Sequence, residues 1–176
     1  MTASPELLAK ARPIKLFAMD VDGILSDGQI IYDSAGNETK AFYVQDGLGL
    51  SALHQHGYVL AIITGRDSPM VARRAKELGI AHLIQGRDDK FTALSSLADN
   101  LGIALSDCAY MGDDLPDVKA IKQAGLGISV PNGCPQAQAA ADFITSRTGG
   151  CGAVREVCEL LLMASGQYDA WIAQFD

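Results

Sequence analysis

Short apolar runs recur along the chain, and most of them end in polar residues. The first run covers Ile14–Met19, and the second, Tyr58–Thr64 (YVLAIIT), is unbroken and rich in β-branched residues. An unbroken run of this kind indicates a strand that is buried on both faces, as in a parallel sheet. Three more runs have the length of strands, at residues 80–86 (IAHLIQG), 108–114 (CAYMGDD) and 125–130 (GLGISV).

Amphipathic segments separate these runs and predict helices. Residues 68–80 place Ser68 as an N-cap, Pro69 at the first helical position and Gly79 as the stop. Similar segments cover residues 90–103, 115–125 and 152–166. The alternation of strands and helices predicts an α/β fold, a Rossmann-like open parallel sheet with helices on both faces. We expect one domain over residues 1–176.

One segment interrupts the alternation directly after the first strand. Residues 28–44 (GQIIYDSAGNETKAFYV) have two β-rich arms around the turn signal DSAGNE, which predicts an inserted β-hairpin. An exposed hairpin leaves apolar side chains and unpaired edges that another subunit often covers. The alternative is that Ile30, Ile31, Phe42 and Tyr43 pack on their own domain.

Composition narrows the classes of partner. The chain has 176 residues, a net charge of -7 and 48% hydrophobic residues, as expected for one globular domain. Nucleic acid and acidic membranes require a basic surface, so we expect neither as a partner. No signal peptide or apolar membrane span is evident, which makes the cytoplasm the expected location. The four cysteines form no C-x-x-C pair, so no zinc site is expected, and the reducing cytoplasm makes disulfides unexpected.

Polar clusters follow four of the predicted strands. They are Asp20, Asp22 and Gly23; Thr64, Gly65 and Arg66; Lys90, at the start of a helix; and Asp113, Asp114 and Asp117. Ligands of open parallel sheets bind at the carboxyl ends of the strands, so these side chains are expected to converge. Each cluster alone has a plainer interpretation as a turn, a helix cap or a calcium loop. An EF-hand is excluded, because the window that starts at Asp22 lacks the acidic third residue and the sixth-position glycine.

Together, the clusters predict phosphoryl transfer. Asp20 is placed to attack phosphorus and form an aspartyl-phosphate. Asp20 and Asp113 supply the hard oxygen ligands that Mg²⁺ prefers, and Lys90 adds positive charge beside the phosphate. Thr64 offers a hydroxyl to a phosphoryl oxygen, and Asp22 can protonate the leaving oxygen and then activate water.

The motifs FAMDVDG, AIIT, Lys90 and YMGDD resemble those of the haloacid dehalogenase superfamily of phosphohydrolases. The resemblance implies that Asp20 is the nucleophile and Asp22 the general acid and base. It also implies a Mg²⁺ ion held by Asp20, the backbone carbonyl of Asp22, and Asp113. Asp114 or Asp117 would support the metal or orient its waters, and the resemblance does not separate these two.

A narrower likeness spans almost the whole chain and includes TGRDS, YMGDDLPD and GGCGAVREVCELLLMASG. It is to small members that have a hairpin instead of a cap domain and that dephosphorylate the sugar acid 3-deoxy-D-manno-octulosonate 8-phosphate in lipopolysaccharide precursor synthesis. This likeness implies a homotetramer joined through the hairpins. It also implies that the C-terminal tail, residues 149–176, reaches toward a neighbouring active site.

Substrate-binding residues are implied by the same likeness. They are Asp46, Gly47, Gly65, Arg66 and Arg74, of which the two arginines would hold the sugar acid. An arginine suits a carboxylate because its guanidinium can bind it through two hydrogen bonds. Gln45 and Cys151 occupy positions where these relatives often carry basic residues, so a contact of either with an anionic substrate is in doubt.

Two alternatives remain open at this stage. The substrate could be a sialic acid or ketodeoxynonulosonic acid 9-phosphate, which related phosphatases hydrolyse. The second alternative is a phospho-accepting receiver domain, which also combines an α/β sheet with aspartate, threonine, lysine and Mg²⁺. Receiver domains lack a D-x-D-G motif, a late GDD and an inserted hairpin, so the chain fits them poorly.

Overall fold

The computed structural model describes residues 3–175 and places a six-stranded parallel sheet at the centre of the chain. The strands are β1 (Leu16–Met19), β4 (Val59–Ile63), β5 (His82–Ile84), β6 (Cys108–Met111), β7 (Leu126–Ser129) and β8 (Phe143–Ile144). Their order across the sheet is β5-β4-β1-β6-β7-β8, and every neighbouring pair is parallel. The predicted α/β fold class is confirmed.

The position of β1 at the centre of the sheet explains why its sequence is continuously apolar. All four of its residues are buried, and Leu16 pairs with Val59 on one side and Cys108 on the other. Phe17 and Met19 face one layer of helices, whereas Leu16 and Ala18 face the other. Since alternate residues of a strand point to opposite faces, a strand covered on both faces has no place for a polar side chain.

Eight α-helices flank the sheet in the described part of the chain. They are α1 (Pro5–Ala11), α2 (Val44–Gln55), α3 (Pro69–Glu77), α4 (Lys90–Leu101), α5 (Val118–Gln123), α6 (Pro135–Ala140), α7 (Ala153–Ala164) and α8 (Tyr168–Ile172). The hydroxyl of Ser68 accepts a hydrogen bond from the Val71 amide, so it caps α3 as the sequence predicted. Among residues 3–175, no helix is both long and apolar enough to cross a membrane.

The inserted hairpin is shorter than its sequence predicted. Its two strands, β2 (Ile31–Tyr32) and β3 (Glu38–Thr39), form an antiparallel pair of two residues each. Asp33 closes the turn, because its carboxylate accepts hydrogen bonds from the amides of Ala35 and Asn37 at 2.9 and 2.8 Å. The pairing stays short because a two-stranded sheet outside the main sheet gains little from burial.

Helix α2 was not predicted, because its first residue, Val44, reads as the end of a β-rich hairpin arm. The helix buries Leu50 and Leu53 against the core and packs on α7. Val44 and Leu48, four residues apart on its outer side, remain exposed. The β-branched and aromatic residues before Val44 therefore gave a misleading boundary, since tertiary packing overrides local preference.

The start of the C-terminal tail packs into its own chain. The expectation that the GG-x-GAVRE stretch reaches a neighbouring active site concerns contacts between subunits and stays a prediction. The Gly150 amide donates to the Ile24 carbonyl at 2.8 Å, and Ala153 and Val154 are fully buried. Any side chain at Gly149 would collide with the Gly23 carbonyl, so this stretch needs glycine to approach the loop after β1.

Candidate active site

A cleft of about 310 Å³ opens at the carboxyl ends of β1, β4 and β6. Its lining consists of Asp20, Asp22, Gly28, Thr64, Gly65, Arg66, Asp88, Lys90, Asp113, Asp114 and Pro116. The structure therefore brings together residues from all four polar clusters of the sequence. They meet because each cluster follows a strand of one parallel sheet.

Asp20 and Lys90 form a buried ion pair at the base of this cleft. Lys90 Nζ lies 2.6 Å from Asp20 Oδ2, and the two side chains are 5% and 10% exposed. Burial, followed by the nearby charge of Asp117, raises the pKa of Asp20 to about 6. Burial alone would lower the pKa of Lys90, but the negative charges of Asp20 and Asp117 outweigh this effect and raise the pKa. Lys90 therefore keeps its positive charge beside Asp20.

Asp117 holds this arrangement from below and has no exposed surface. Its Oδ1 accepts hydrogen bonds from Lys90 Nζ at 2.8 Å and from the Tyr110 hydroxyl at 2.7 Å. Its Oδ2 accepts hydrogen bonds from the backbone amides of Asp113 and Asp114, each at 3.1 Å. The structure thus distinguishes the roles of Asp117 and Asp114, which the sequence did not. Asp117 supports the site from its interior, whereas Asp114 is exposed at the rim of the cleft. Tyr110 was missed because it lies inside an apolar strand, where an aromatic residue reads as core.

Three carboxylates, of Asp20, Asp113 and Asp117, offer oxygen atoms within 4.8 Å of one another. Both oxygens of Asp117 are already hydrogen-bonded, whereas Asp20 Oδ1 and Asp113 Oδ1 are buried and accept no hydrogen bond from the described residues. Burial, and then the charges of Asp20 and Asp117, raises the pKa of Asp113 to about 7. Unpartnered buried carboxylate oxygens are costly, and a hard divalent cation would satisfy both. The donor set therefore fits Mg²⁺.

Gly23 shapes the same corner of the site. Its φ is +91°, a left-handed value that favours glycine, and a side chain there would collide with the carboxylate of Asp113. The glycine of the D-x-D-G motif thus allows the loop after β1 to lie against the loop after β6. This contact brings the Asp20 and Asp113 clusters together.

Asp22 lies higher in the cleft and is surrounded by cations. Its Oδ1 accepts hydrogen bonds from Ser26 Oγ at 3.1 Å and from Lys40 Nζ. Arg66 Nε lies 3.8 Å from its Oδ2. Arg66 in turn donates to Glu38 Oε2 at 2.8 Å, so the hairpin reaches the site through Lys40 and Glu38. Neither hairpin residue was a sequence candidate, because charged residues in a β-rich hairpin arm are typical of a solvated edge.

Thr64 ends β4 and is 2% exposed, with its Oγ1 3.4 Å from the Arg66 amide that donates to it. Gly65 follows it in the cleft, and the carboxylate of Asp88 lies directly beside Gly65. Asp88 was not a sequence candidate. Its exposed carboxylate next to Gly65 is available to a ligand.

Three predicted substrate residues, Asp46, Gly47 and Arg74, lie outside the cleft. Asp46 is 1% exposed and accepts the Arg155 amide at 2.7 Å, so it caps the N-terminus of α7 in place of a side chain at Gly152. Gly47 lies under the guanidinium of Arg74, which would have to shift to admit a side chain there. Within one chain the carboxylate of Asp46 faces a helix end, and its assignment to the substrate stays a prediction.

Arg74 lines a separate cavity of about 220 Å³ with Lys40, Phe42 and Glu77. Its Nη1 lies 3.4 Å from Glu77 Oε2, and its guanidinium lies 6.0 Å from the centre of the Phe42 ring. Lys40 lies between this cavity and the cleft, since it lines the first and contacts Asp22 in the second. Arg74 therefore has no direct place in the catalytic cleft of a single chain.

A larger cavity, of about 540 Å³, lies between α1, β8 and α7. Its buried carboxylate, Glu156, already accepts hydrogen bonds from the amides of Ser146 and Arg147 at 2.9 to 3.1 Å. Glu159, at its edge, is paired with Arg155. These satisfied groups stabilise the tail and give this cavity no reactive group comparable to those of the cleft.

Comparison with known proteins agrees with this geometry. A family profile described as haloacid dehalogenase-like hydrolase matches residues 80–156. The 3-deoxy-D-manno-octulosonate 8-phosphate phosphatase of Salmonella typhimurium is 45% identical over 166 residues, which cover 94% of this chain and 88% of the relative.

Solved structures are similar over nearly the whole chain. The phosphatase of the same name from Moraxella catarrhalis, in complex with magnesium ion, phosphate ion and KDO, has a TM-score of 0.97 and 69% identity, with 99% of this chain and 100% of that chain covered. The cobalt-bound form of the deoxy-D-mannose-octulosonate 8-phosphate phosphatase from Haemophilus influenzae has a TM-score of 0.88 and 37% identity, with 92% and 95% covered. The receiver-domain alternative is thereby excluded, and the cofactor that the carboxylates fit is Mg²⁺. The chain belongs to the 3-deoxy-D-manno-octulosonate 8-phosphate phosphatases of the haloacid dehalogenase superfamily.

Proposed function

We propose that the chain hydrolyses 3-deoxy-D-manno-octulosonate 8-phosphate to the free sugar acid and inorganic phosphate, with Mg²⁺ as cofactor. One observation supports this function above the others: Asp20 Oδ1 and Asp113 Oδ1 are buried and have no hydrogen-bond partner among residues 3–175, and they lie beside Lys90 at the carboxyl end of β1. Such an arrangement suits a dianionic phosphate and a divalent cation. The names of the relatives specify the sugar acid.

In the first step, a carboxylate oxygen of Asp20 attacks phosphorus. The bond from phosphorus to the sugar oxygen breaks, and an aspartyl-phosphate forms on Asp20. Lys90, 2.6 Å from Asp20, offsets negative charge on the phosphoryl group, and the Thr64 hydroxyl donates to a phosphoryl oxygen. Bound Mg²⁺ would be held by Asp20, Asp113 and the Asp22 carbonyl, and it would neutralise charge on the phosphate.

Asp22 serves both halves of the reaction. It gives a proton to the leaving sugar oxygen, and it then removes a proton from the water that attacks the aspartyl-phosphate. This second attack releases phosphate and restores Asp20. The position of Asp22, two residues after Asp20 at the wall of the cleft, suits a group that acts on the side of the leaving oxygen.

Arg66 is the proposed contact for the sugar acid within the cleft. Its side chain is 39% exposed, and one of its amino groups is held by Glu38 at 2.8 Å. This pairing fixes the guanidinium at the cleft wall and leaves part of it free for a carboxylate. Arg74 would reach the same substrate through the neighbouring cavity, of which Lys40 forms part.

We also propose a homotetramer that assembles through the hairpins. The support is a group of apolar side chains that one chain leaves exposed on the hairpin and on α2, namely Ile30, Ile31, Tyr32, Val44 and Leu48. Exposed apolar groups that lie together typically mark a subunit interface. The cytoplasm remains the proposed location.

The substrate is tested by phosphate release from three compounds, with Mg²⁺ and with the metal removed by a chelator. They are 3-deoxy-D-manno-octulosonate 8-phosphate and the 9-phosphates of sialic acid and of ketodeoxynonulosonic acid. The expected result is the highest kcat/KM for the first compound and loss of turnover without metal. A preference for either 9-phosphate would assign the chain to the alternative substrate class, and turnover that persists without metal would contradict the role of the carboxylates.

A further inference from the structure

Lys40 is a buried cation that the proposed chemistry does not yet use. It follows strand β3 of the hairpin, and its side chain is 1% exposed. Its ammonium contacts Asp22 Oδ1 and lies 3.8 Å from Glu38 Oε1. A buried ammonium is costly unless carboxylates pair with it, so these contacts fix where Lys40 lies.

The contact makes the two oxygens of Asp22 different. Oδ1 accepts hydrogen bonds from both Lys40 and Ser26. Within residues 3–175 no hydrogen bond reaches Oδ2, which has Arg66 Nε 3.8 Å away. The carboxylate is thus held by one oxygen while the other stays available to a ligand in the cleft.

The alternation of side chains along the second hairpin arm places the residues that make these contacts on one face. Glu38 and Lys40 are two residues apart, so their side chains lie on the same face of the arm. Glu38 holds Arg66 and Lys40 holds Asp22, whereas Thr39 between them is exposed. One hairpin arm therefore contacts both the proposed acid and base and the proposed substrate arginine.

We propose that Lys40 is a positioning residue for Asp22: it holds Oδ1 so that Oδ2 meets the leaving oxygen and, later, the attacking water. This inference rests on the proposed function, because it assigns to Lys40 the placement of that reaction's acid and base. It makes the hairpin part of the catalytic machinery in addition to its proposed place at a subunit interface.

The leaving group separates this role from a structural one. A sugar oxygen needs a proton in order to leave, whereas p-nitrophenolate leaves readily without one. Loss of Lys40 should therefore slow formation of the aspartyl-phosphate from the sugar phosphate but not from p-nitrophenyl phosphate. Attack by water uses Asp22 with both substrates, so its rate should fall for both.

The test is Lys40→Met, compared with Lys122→Met, which removes an exposed lysine of α5. For Lys40→Met we expect kcat on the sugar phosphate to fall about 100-fold and KM to change less than about threefold. With p-nitrophenyl phosphate, the first turnover should stay within about threefold of wild type and give a burst before slow steady release. Lys40→Arg, which keeps the charge, should recover most of kcat, and Lys122→Met should match wild type.

Three results would overturn the role of Lys40. They are an unchanged kcat, a raised KM with kcat intact, or an equal loss of the first turnover on both substrates. Circular dichroism and light scattering check that the variants fold and assemble, and Lys40→Gln allows the same comparison if methionine is not tolerated. A wild-type chain that fails on the sugar phosphate contradicts the proposed function, whereas a fully active Lys40→Met contradicts only this inference.

Discussion

Asp20, Asp46 and Asp117 are three buried aspartates whose partners assign them different tasks. Asp20 has one oxygen that no described residue hydrogen-bonds, and it lies beside Asp113, where a cation fits. Asp117 uses both oxygens to hold Lys90, Tyr110 and the loop that carries Asp113. Asp46 Oδ1 accepts a hydrogen bond from the backbone of α7, its Oδ2 is buried without a partner among the described residues, and the residue lies outside the cleft. Neither burial nor an unpartnered oxygen alone identifies a reactive carboxylate, and the groups beside it, Lys90 and Asp113 for Asp20, do.

The buried carboxylate of Asp46 predicts a dependence of stability on pH. Burial, opposed by the Arg155 amide, raises its pKa from 3.8 to about 6 in the folded chain. The folded state therefore holds this proton more tightly than the unfolded state. The stabilising contribution is present below about pH 4 and is lost as the pH rises through 6. Between pH 5 and pH 7.5 the loss amounts to about 1–1.5 kcal/mol.

Asp46→Asn removes this ionisation and retains an oxygen that can cap α7. Relative to wild type, its free energy of unfolding should gain about 1–1.5 kcal/mol between pH 5 and pH 7.5. Urea denaturation at both pH values measures the change. Asp99→Asn, on the exposed side of α4, is the matched control for loss of one carboxylate. A difference between Asp46→Asn and wild type that stays constant with pH would contradict the perturbed carboxylate.

Several contacts of the site were beyond sequence reasoning at this scale. Asp20, Thr64, Lys90 and Asp113 could be found because each follows or starts an element at the same edge of the sheet. Lys40 has no such signal, because its contact with Asp22 depends on how the hairpin folds back over the cleft. The contact of Asp46 has no such signal either, because its carboxylate caps a helix that is more than 100 residues later in the chain.

At the scale of elements, the hairpin has two faces with different chemistry. One face contacts Asp22 and Arg66 through Lys40 and Glu38, whereas Ile31, which pairs with Thr39, lies on the opposite face and is 48% exposed. The paired strands are two residues long, too few to be stable without other contacts. Burial of the apolar residues against other subunits would hold the charged face in place.

Ile31→Glu tests the hairpin as an interface, because a carboxylate in an apolar contact between subunits is costly. We expect the mass measured by light scattering to fall from that of four chains, while circular dichroism stays that of the folded chain. Leu101→Glu, at an exposed apolar position of α4, is the control and should leave the mass unchanged. If Ile31→Glu keeps the wild-type mass, the hairpin is not the interface.

For the molecule as a whole, the order of the strands explains both the success and the limits of the sequence prediction. The strands that carry the four clusters all run the same way, so their polar ends share one edge. Periodicity and apolar runs could reveal these strands. They could not reveal that Val44–Gln55 is a helix, since its apolar residues have no single face, or that Gly149 and Gly150 close onto the loop after β1.

The most direct test of the central claim is phosphate release from 3-deoxy-D-manno-octulosonate 8-phosphate in the presence of Mg²⁺, by wild type and by Asp20→Asn. Asparagine matches aspartate in size but is a poor nucleophile, so the variant should fold and lose at least about 1,000-fold in kcat. Wild-type turnover together with this loss is the predicted result. Phosphate release by Asp20→Asn at a rate close to that of wild type would contradict the account.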